Sequence, residues 1–331
     1  MRRRRFIAAG AAFLGSTRAA RPQPWRARKL AIAHPDRPVA RLTREGSPYF
    51  ATFFKELASR GFVEGDNLVV NRFDGGGIAE TYKTIAKDVV DWHPDVILAV
   101  SDRMTKLLKD LTADIPIIAL TSDPIAYGLS NSLSNPDGNI TGIMVNSSSA
   151  IFEKRIEFLR EIVPGTGGIY QLTSRTLWES PLGSSVRSAV EGAGLQLIGP
   201  PVESPHREPQ YRAAVASAAQ QTGAALVTTA VENLNNVDLI IALMRQYRIA
   251  AFYPLREYVD KGGLIGHDID VNDLFRHVGQ QVAAVLKGDA VRTIPFYQPL
   301  RLKLVINLAS AAAAGIDLPG SLIARADEVI E

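Results

Sequence analysis

Small polar side chains follow a buried apolar run near the middle of the chain. Residues 115–120 are apolar, as in a strand that is covered on both faces of a sheet. Thr121, Ser122 and Asp123 come next and are followed by a proline, which marks a turn at the carboxyl end of that strand. Ligands of open α/β sheets bind at this edge. These hydroxyl and carboxylate groups are therefore candidates for hydrogen bonds to a small polar ligand.

Other strand ends carry side chains of the same kind. Acidic residues could pair with an ammonium group, helix N-termini could receive a carboxylate, and Trp178 or Tyr253 could stack on a planar group. This mixture suits an amino acid or a similar small polar solute. The candidates in the first half of the chain are His34, Ser101, Asp102, Thr121, Ser122 and Asp123. Those in the second half are Thr173, Ser174, Trp178, Glu179, Glu232, Asn233, Tyr253 and Arg256.

Several of these candidates have an alternative structural role. Asp102 could cap a helix, and Asp123 could be a turn residue. Trp178 could pack beneath its loop, and Arg256 could form an internal ion pair with its neighbour Glu257. The sequence leaves both interpretations open.

The elements that must position these residues alternate between strand and helix. Ser47-Pro48 is a strong helix start, because serine caps free N–H groups and proline fits the first helical position. The strand–helix series runs to Leu120 and begins again after Gly142. Short connections between such elements indicate parallel sheets with helices on both faces. We therefore predict an α/β protein with two doubly wound parallel-sheet lobes joined by a hinge.

The expected boundaries follow from this series. Lobe 1 is predicted at 29–143 plus 268–290, and lobe 2 at 144–267 plus 291–331. The hinge is expected at Asn139, Thr141, Gly142 and His267.

The charge of the chain is concentrated at its N-terminus. Nine of the 37 Lys and Arg residues and no acid lie in 1–29, which leaves 28 basic against 34 acidic residues elsewhere. A nucleic-acid-binding protein would carry its positive charge on the folded domain. Residues 1–28 instead have the pattern of an export signal and linker, with Arg2 to Arg5 before an apolar stretch. The paired arginines also suit the twin-arginine route, and we expect a periplasmic protein that uses this or the Sec route.

Motifs for catalysis and metal binding are not found in the sequence. The five histidines lack metal-ligand spacing, and the chain has no cysteine. Gly75-Gly76-Gly77 lacks the Lys-Ser/Thr of a phosphate loop, and no Gly-x-Ser-x-Gly elbow occurs. We therefore expect no enzyme activity, no cofactor and no metal.

The sequence resembles a known family along almost its whole length. It is similar to the periplasmic substrate-binding proteins of ABC importers in the tryptophan/tyrosine-type group, which have a type I periplasmic-binding fold. The segments that carry the resemblance are MRRRRFIAAGAA, GFVEGDNLVV, IPIIALTSDPIAYGL, NPDGNITG, REYVDKGGLIGHD and LVINLASAAAAGIDLPGSLIARADEVI. The resemblance implies capture of a small solute, an aromatic amino acid by analogy, through hinge closure. It also implies an ABC permease as partner and a monomer that binds no nucleic acid. Alternatives are an exported ligand sensor for a membrane receptor and an enzyme on the same scaffold.

Overall fold

A computed structural model describes residues 26–145, 149–299 and 302–331. Most of the predicted export signal lies outside these residues. The first α/β series forms lobe 1, whose five-stranded parallel sheet has the order β2-β1-β3-β4-β5. Its strands are β1 (Arg28–His34), β2 (Leu68–Asp74), β3 (Val96–Val100), β4 (Ile117–Thr121) and β5 (Ile140–Met144). Its helices are α1 (Pro48–Ser59), α2 (Tyr82–Asp91) and α3 (Asp102–Leu111).

Helix α1 begins as the sequence predicts. The Ser47 hydroxyl accepts the backbone N–H of Tyr49 at 3.3 Å, and Pro48 occupies the first turn. Phe50, Phe53 and Leu57 recur at helical spacing and are buried against the sheet. This packing holds the strand ends of lobe 1 in place.

The second series forms lobe 2. Its helices are α4 (Ser149–Ile162), α5 (Arg175–Trp178), α6 (Pro181–Gly192), α7 (Glu208–Ala219), α8 (Val231–Leu234), α9 (Val237–Gln246) and α10 (Arg256–Asp260). Its strands are β6 (Gly168–Leu172), β7 (Gln196–Ile198), β8 (Ala224–Val227), β9 (Ala250–Tyr253) and β10 (Ile265–Ile269). These five strands are parallel, with the order β10-β9-β8-β6-β7.

The chain then crosses between the lobes twice more. Helix α11 (Val271–Lys287) returns to lobe 1 and packs on α1. The last elements complete the lobe 2 sheet and are β11 (Leu302–Asn307), α12 (Leu308–Ala314), α13 (Gly320–Ile323) and β12 (Glu328–Ile330). Strand β11 runs antiparallel to β10, unlike the other pairs. The two-lobed α/β fold predicted from the sequence is confirmed.

Two lobe boundaries differ from the prediction. Residues 291–298 were expected in lobe 2 but pack on lobe 1, because the Tyr297 N–H donates to Gly142 O and the Phe296 N–H donates to Leu133 O. Residues 139–142 were expected to form the first crossing, but residues 140–144 form β5 beside β4. The chain leaves lobe 1 only after Val145 and enters α4 at Ser149. Among the residues described, no helix is both long and apolar enough to cross a membrane.

Candidate ligand-binding cleft

The carboxyl ends of the parallel strands in the two sheets face each other across a cleft. The Arg37 guanidinium, after β1, lies 3.7 Å from the Glu257 carboxylate, which follows β9. The loop after β2 approaches the loop after β8, since a side chain at Gly77 would meet Asn235 Nδ2 at 2.6 Å. The lobes therefore stand close together at this edge, in a closed arrangement.

Asp102 organises the lobe 1 wall of the cleft. Its Oδ1 accepts the Thr121 hydroxyl and the backbone N–H of Ser122 (2.9 Å), and its Oδ2 accepts the Ser122 hydroxyl at 2.5 Å. Burial raises the pKa of Asp102, and these three hydrogen bonds oppose that shift. The sequence placed all three residues at one strand edge, and the structure brings them together. Both carboxylate oxygens of Asp102 accept hydrogen bonds within lobe 1, so Asp102 stabilises the lobe 1 wall of the cleft.

Ser101, and not Asp102, is the N-cap of α3. Its hydroxyl accepts the Met104 N–H at 3.4 Å. Its backbone φ of +84° lies in the left-handed region that favours glycine. Such backbone strain tends to occur at binding edges, which agrees with the position of Ser101 beside the Asp102 cluster.

Asp123 forms the turn that presents Tyr127 to lobe 2. Asp123 Oδ1 accepts the N–H groups of Ile125 and Ala126, each at 2.9 Å. The half-buried Tyr127 hydroxyl interacts with Ser122 in lobe 1, and with the Ser180 side chain and the Leu182 backbone in lobe 2. Burial raises the pKa of Tyr127, and the Asp102 carboxylate adds to this increase. Asp123 thus has the alternative role of a turn residue, and Tyr127 makes the contact across the cleft.

A second cluster across the cleft surrounds the buried ring of Tyr82. The Arg103 guanidinium carbon lies 5.1 Å from the centroid of that ring. Burial raises the pKa of Tyr82, and the nearby Glu232 carboxylate of lobe 2 raises it further. An aromatic face, a cation and a carboxylate thus lie together, contributed by both lobes.

His34 was predicted as a ligand contact but lies inside the turn after β1. Only 7% of it is exposed, and its Nδ1 accepts the backbone N–H of Arg37 at 3.1 Å. Burial lowers the pKa of His34, against the opposing effect of the Asp36 carboxylate. His34 therefore shapes the turn that carries Arg37.

Three predicted contacts of lobe 2 are buried within that lobe. The Thr173 hydroxyl accepts that of Thr228 at 2.9 Å, and Ser174 is bridged to Val202 behind it. The Asn233 amide donates to the carbonyls of Leu172 and Thr228 and accepts the Tyr211 hydroxyl. Buried polar groups need such partners. Thr173, Ser174 and Asn233 therefore join the strand ends of lobe 2 to one another.

The predicted contacts Trp178, Glu179 and Tyr253 also have structural roles. The Trp178 ring packs against the Arg187 guanidinium and Gly199. Its neighbour Glu179 is exposed and forms an ion pair with Arg175. The Tyr253 ring is buried in the core and stacks on Tyr258 with centroids 5.2 Å apart.

Arg256 is held in a bidentate pair with Glu328, at 2.5 and 2.6 Å, and also bonds Asp260. The alternative of an ion pair was right for Arg256, although the partner is not Glu257.

The predicted hinge residues belong to the sheets. Asn139 leads into β5, and its amide donates to the carbonyls of Thr112 and Ile115. The Thr141 hydroxyl donates to Ile294 O at 2.7 Å. Gly142 allows β5 to approach β4, since a Cβ there would lie 2.0 Å from Ala119 O. His267 is buried within β10. The first crossing begins after Val145 because pairing with β4 continues to Met144.

Comparison with known proteins identifies the family. The model of the ABC transporter substrate-binding proteins matches residues 49–330. The chain belongs to this family. It is 23% identical over 257 residues to a tyrosine-binding protein of Clostridioides difficile, covering 77% of this chain and 73% of the relative.

Two solved structures have the same fold as this substrate-binding protein. One is a conserved domain protein from Vibrio cholerae, with a TM-score of 0.81 and 21% identity over 92% of this chain and 100% of the other. The second is a domain from Streptococcus pneumoniae in complex with L-Trp, with a TM-score of 0.78 and 21% identity over 92% and 99% of the two chains. The family resemblance read from the sequence is confirmed.

The sequence interpretation of this ABC substrate-binding protein missed Tyr82, Arg103 and Tyr127. Tyr82 begins α2 and Arg103 directly follows the candidates Ser101 and Asp102, but neither Tyr82 nor Arg103 was among the candidates. Tyr127 lies in the resemblance segment IPIIALTSDPIAYGL, four residues after Asp123, so the turn chemistry of Asp123 was the available signal. Within the described residues no group of His, Asp and Glu side chains is placed to hold a metal ion.

Proposed function

We propose that this protein captures an amino acid in the interlobe cleft and delivers it to an ABC permease. The observation that carries the proposal is the cluster around Tyr82. The buried Tyr82 ring packs against the Arg103 guanidinium, and Glu232 from the opposite lobe supplies a carboxylate near enough to raise the pKa of Tyr82. Glu232 can pair with the ammonium group of an amino acid, and the Arg103 guanidinium, held by the Tyr82 ring, can stack on its planar side chain.

The relatives support this solute class. One relative is named for binding tyrosine, and a structure with the same fold holds L-Trp. Members of this family bind small molecules and work with ABC permeases, which supports a binding protein over an enzyme. We further propose that the protein acts as a monomer in the periplasm after export, on the strength of the N-terminal pattern.

Capture would proceed by closure of the lobes. A solute that contacts both lobes at once favours the closed form over the open form. The pairs Arg37–Glu257 and Tyr127–Ser180 join the lobes at the cleft and would add to the stability of that form.

A thermal-shift screen with calorimetric titration tests this function. The panel contains the twenty amino acids and small carboxylates, with the Glu232→Gln variant and the control Glu208→Gln on the exposed face of α7. A bound solute at a hundredfold excess over Kd should stabilise the protein by about 2.7 kcal/mol. We expect L-tyrosine or L-tryptophan to give this shift, and Glu232→Gln but not Glu208→Gln to weaken it. No shift with any amino acid, or turnover of the bound compound, would contradict the proposal.

A further inference from the structure

Arg155 is a buried cation that has no acidic partner among the described residues. Arg155 lies in the second turn of α4, which packs on the sheet of lobe 2. Only 3% of the residue is exposed. Its guanidinium carbon lies 5.5 Å from the ring centroids of both Phe152 and Phe252. Its Nε and Nη2 atoms are buried and make no hydrogen bond. Burial lowers the pKa of Arg155 to about 10, so the group keeps its charge at neutral pH.

His267 lies beside this cation with an unused ring nitrogen. It is 5% exposed, and its ring meets the Phe252 ring edge-on with centroids 4.9 Å apart. Its Nδ1 is buried without a hydrogen-bond partner. Burial and the charges of Arg155 and Lys154 lower the pKa of His267 to about 3, so the imidazole is neutral.

Strand register places His267 at the carboxyl edge of the lobe 2 sheet. Phe252 lies opposite Ile265 in the parallel pair β9–β10, so His267, two residues further on, points to the same face as Phe252. Strand β9 ends at Tyr253, opposite Gly266, and His267 therefore extends one residue beyond that strand toward the cleft. Helix α4, which covers this face, begins directly after the first crossing.

The three unused nitrogens define the chemistry of a ligand. A buried charge without a counter-ion is costly, and water could satisfy the hydrogen bonds but not the charge. The Nε–H and Nη2–H groups of an arginine form the side-on fork that binds a carboxylate through two hydrogen bonds. A neutral imidazole with its proton on Nδ1 can supply a third donor.

We propose that Arg155 and His267 bind the carboxylate of the captured solute at the floor of the cleft, an assignment that rests on the proposed function. The solute would then be anchored in lobe 2 by its carboxylate, with the rest of the molecule directed toward lobe 1. A solute without a carboxylate would leave Arg155 uncompensated and would bind weakly. The site thereby selects acids over the matching amines.

A comparison of solutes with and without a carboxylate tests this assignment. Affinities of the wild type, Arg155→Gln, Arg155→Lys and the control Arg160→Gln, on the exposed face of α4, are measured for L-tyrosine, L-tryptophan, tyramine and tryptamine. We expect Arg155→Gln to bind the amino acids about 30-fold or more weakly and to bind the amines as the wild type does. Arg155→Lys should restore part of the affinity, and Arg160→Gln should match the wild type. Equal losses for acids and amines would overturn the assignment.

Stability separates a binding role from a structural one. Removal of an unpaired buried cation should leave the Tm of the ligand-free protein unchanged or raise it, so a large fall in the Tm of Arg155→Gln would overturn the proposal.

Should no amino acid bind the wild type, acetate at tens of millimolar is the remaining probe. A rise in Tm for the wild type but not for Arg155→Gln would support the anion site and contradict only the proposed function. No rise in either protein would overturn the site as well.

Discussion

Arg37 of lobe 1 and Glu257 of lobe 2 face each other across the cleft, with Nη2 and Oε2 3.7 Å apart. Their side chains are 29% and 40% exposed. An ion pair at this exposure contributes about 0.2–1 kcal/mol and is screened by salt. The pair joins the lobes only when they are closed, so its contribution belongs to the closed form.

The first prediction concerns this pair. Arg37→Ala and Glu257→Ala should each weaken solute binding by up to about fivefold, because each removes the same weak contact from the closed form. A double-mutant cycle built from the Kd values of the two variants and their double variant should give a coupling free energy at low salt that disappears at high salt. The exposed pair Arg212–Glu208, within α7, provides the control and should show no coupling in Kd. Additive effects of Arg37→Ala and Glu257→Ala at low salt would contradict the closed arrangement.

The second prediction concerns Tyr127. Tyr127→Phe removes the hydroxyl that interacts with Ser180 and the Leu182 backbone but keeps the ring. Since a hydrogen bond contributes about 1 kcal/mol, the affinity for the solute should fall about fivefold while the ligand-free Tm stays within error. Titration calorimetry gives the affinity, and Tyr247→Phe at the end of α9 is the control. An unchanged Kd for Tyr127→Phe would show that this contact does not support closure.

The third prediction concerns Asp102. Asp102→Ala leaves the Thr121 and Ser122 donors without an acceptor and should cost about 1–3 kcal/mol. Asp102→Asn keeps an acceptor and carries no charge, so at neutral pH it should be as stable as the wild type or more so.

The pH dependence of stability follows from the raised pKa of Asp102. The folded protein binds this proton more tightly than the unfolded chain. The free energy of unfolding of the wild type should therefore fall relative to that of Asp102→Asn as the pH rises from 3.8, the ordinary pKa of an aspartate, through the raised pKa of Asp102. Above the raised pKa, the difference between the two proteins should stay constant. Urea unfolding of both proteins across this range is the measurement. If the stability of Asp102→Asn relative to the wild type decreased with rising pH, that result would contradict the buried position of the carboxylate.

The fourth prediction separates a hinge from a packed strand at Gly142. A methyl group there would lie 2.0 Å from Ala119 O and 2.5 Å from Ala119 N, both in the backbone of β4. Gly142→Ala should therefore destabilise the protein by about 3 kcal/mol. The control is Gly138→Ala, because a Cβ at that position meets no atom within 4 Å. If Gly142→Ala changed affinity with normal stability, the residue would be a hinge, as the sequence suggested.

Local patterns predicted the repeating elements well but did not predict long-range pairing. The strand predicted at 115–120, which the structure has at Ile117–Thr121, and the capped start of α1 both carry their signals within a few residues. The strand at Thr141 depends on contacts with Ile294, 153 positions away, which no local pattern reveals. Without that information, Asn139 to Gly142 looked like a turn.

The sequence predicted that the candidate side chains lie at the carboxyl edges of the two sheets, but not the direction in which each side chain points. Asp102, Thr121 and Ser122 meet because parallel strand ends meet, which is a rule of the fold. Tyr253 ends β9 and Asn233 follows β8, but their side chains point into the lobe and contact partners there. The direction of a side chain just past a strand end depends on turn geometry and tertiary packing, which the sequence pattern does not specify.

The distance between the lobes tests capture by closure most directly. The chain has no cysteine, so Lys83→Cys in lobe 1 and Asp238→Cys in lobe 2, both exposed, allow specific labelling for a distance measurement by paired spin labels. With the amino acid that gives the largest thermal shift, the distance distribution should move to shorter values and narrow. A distribution that stays unchanged at saturating solute would contradict capture by closure of the two lobes.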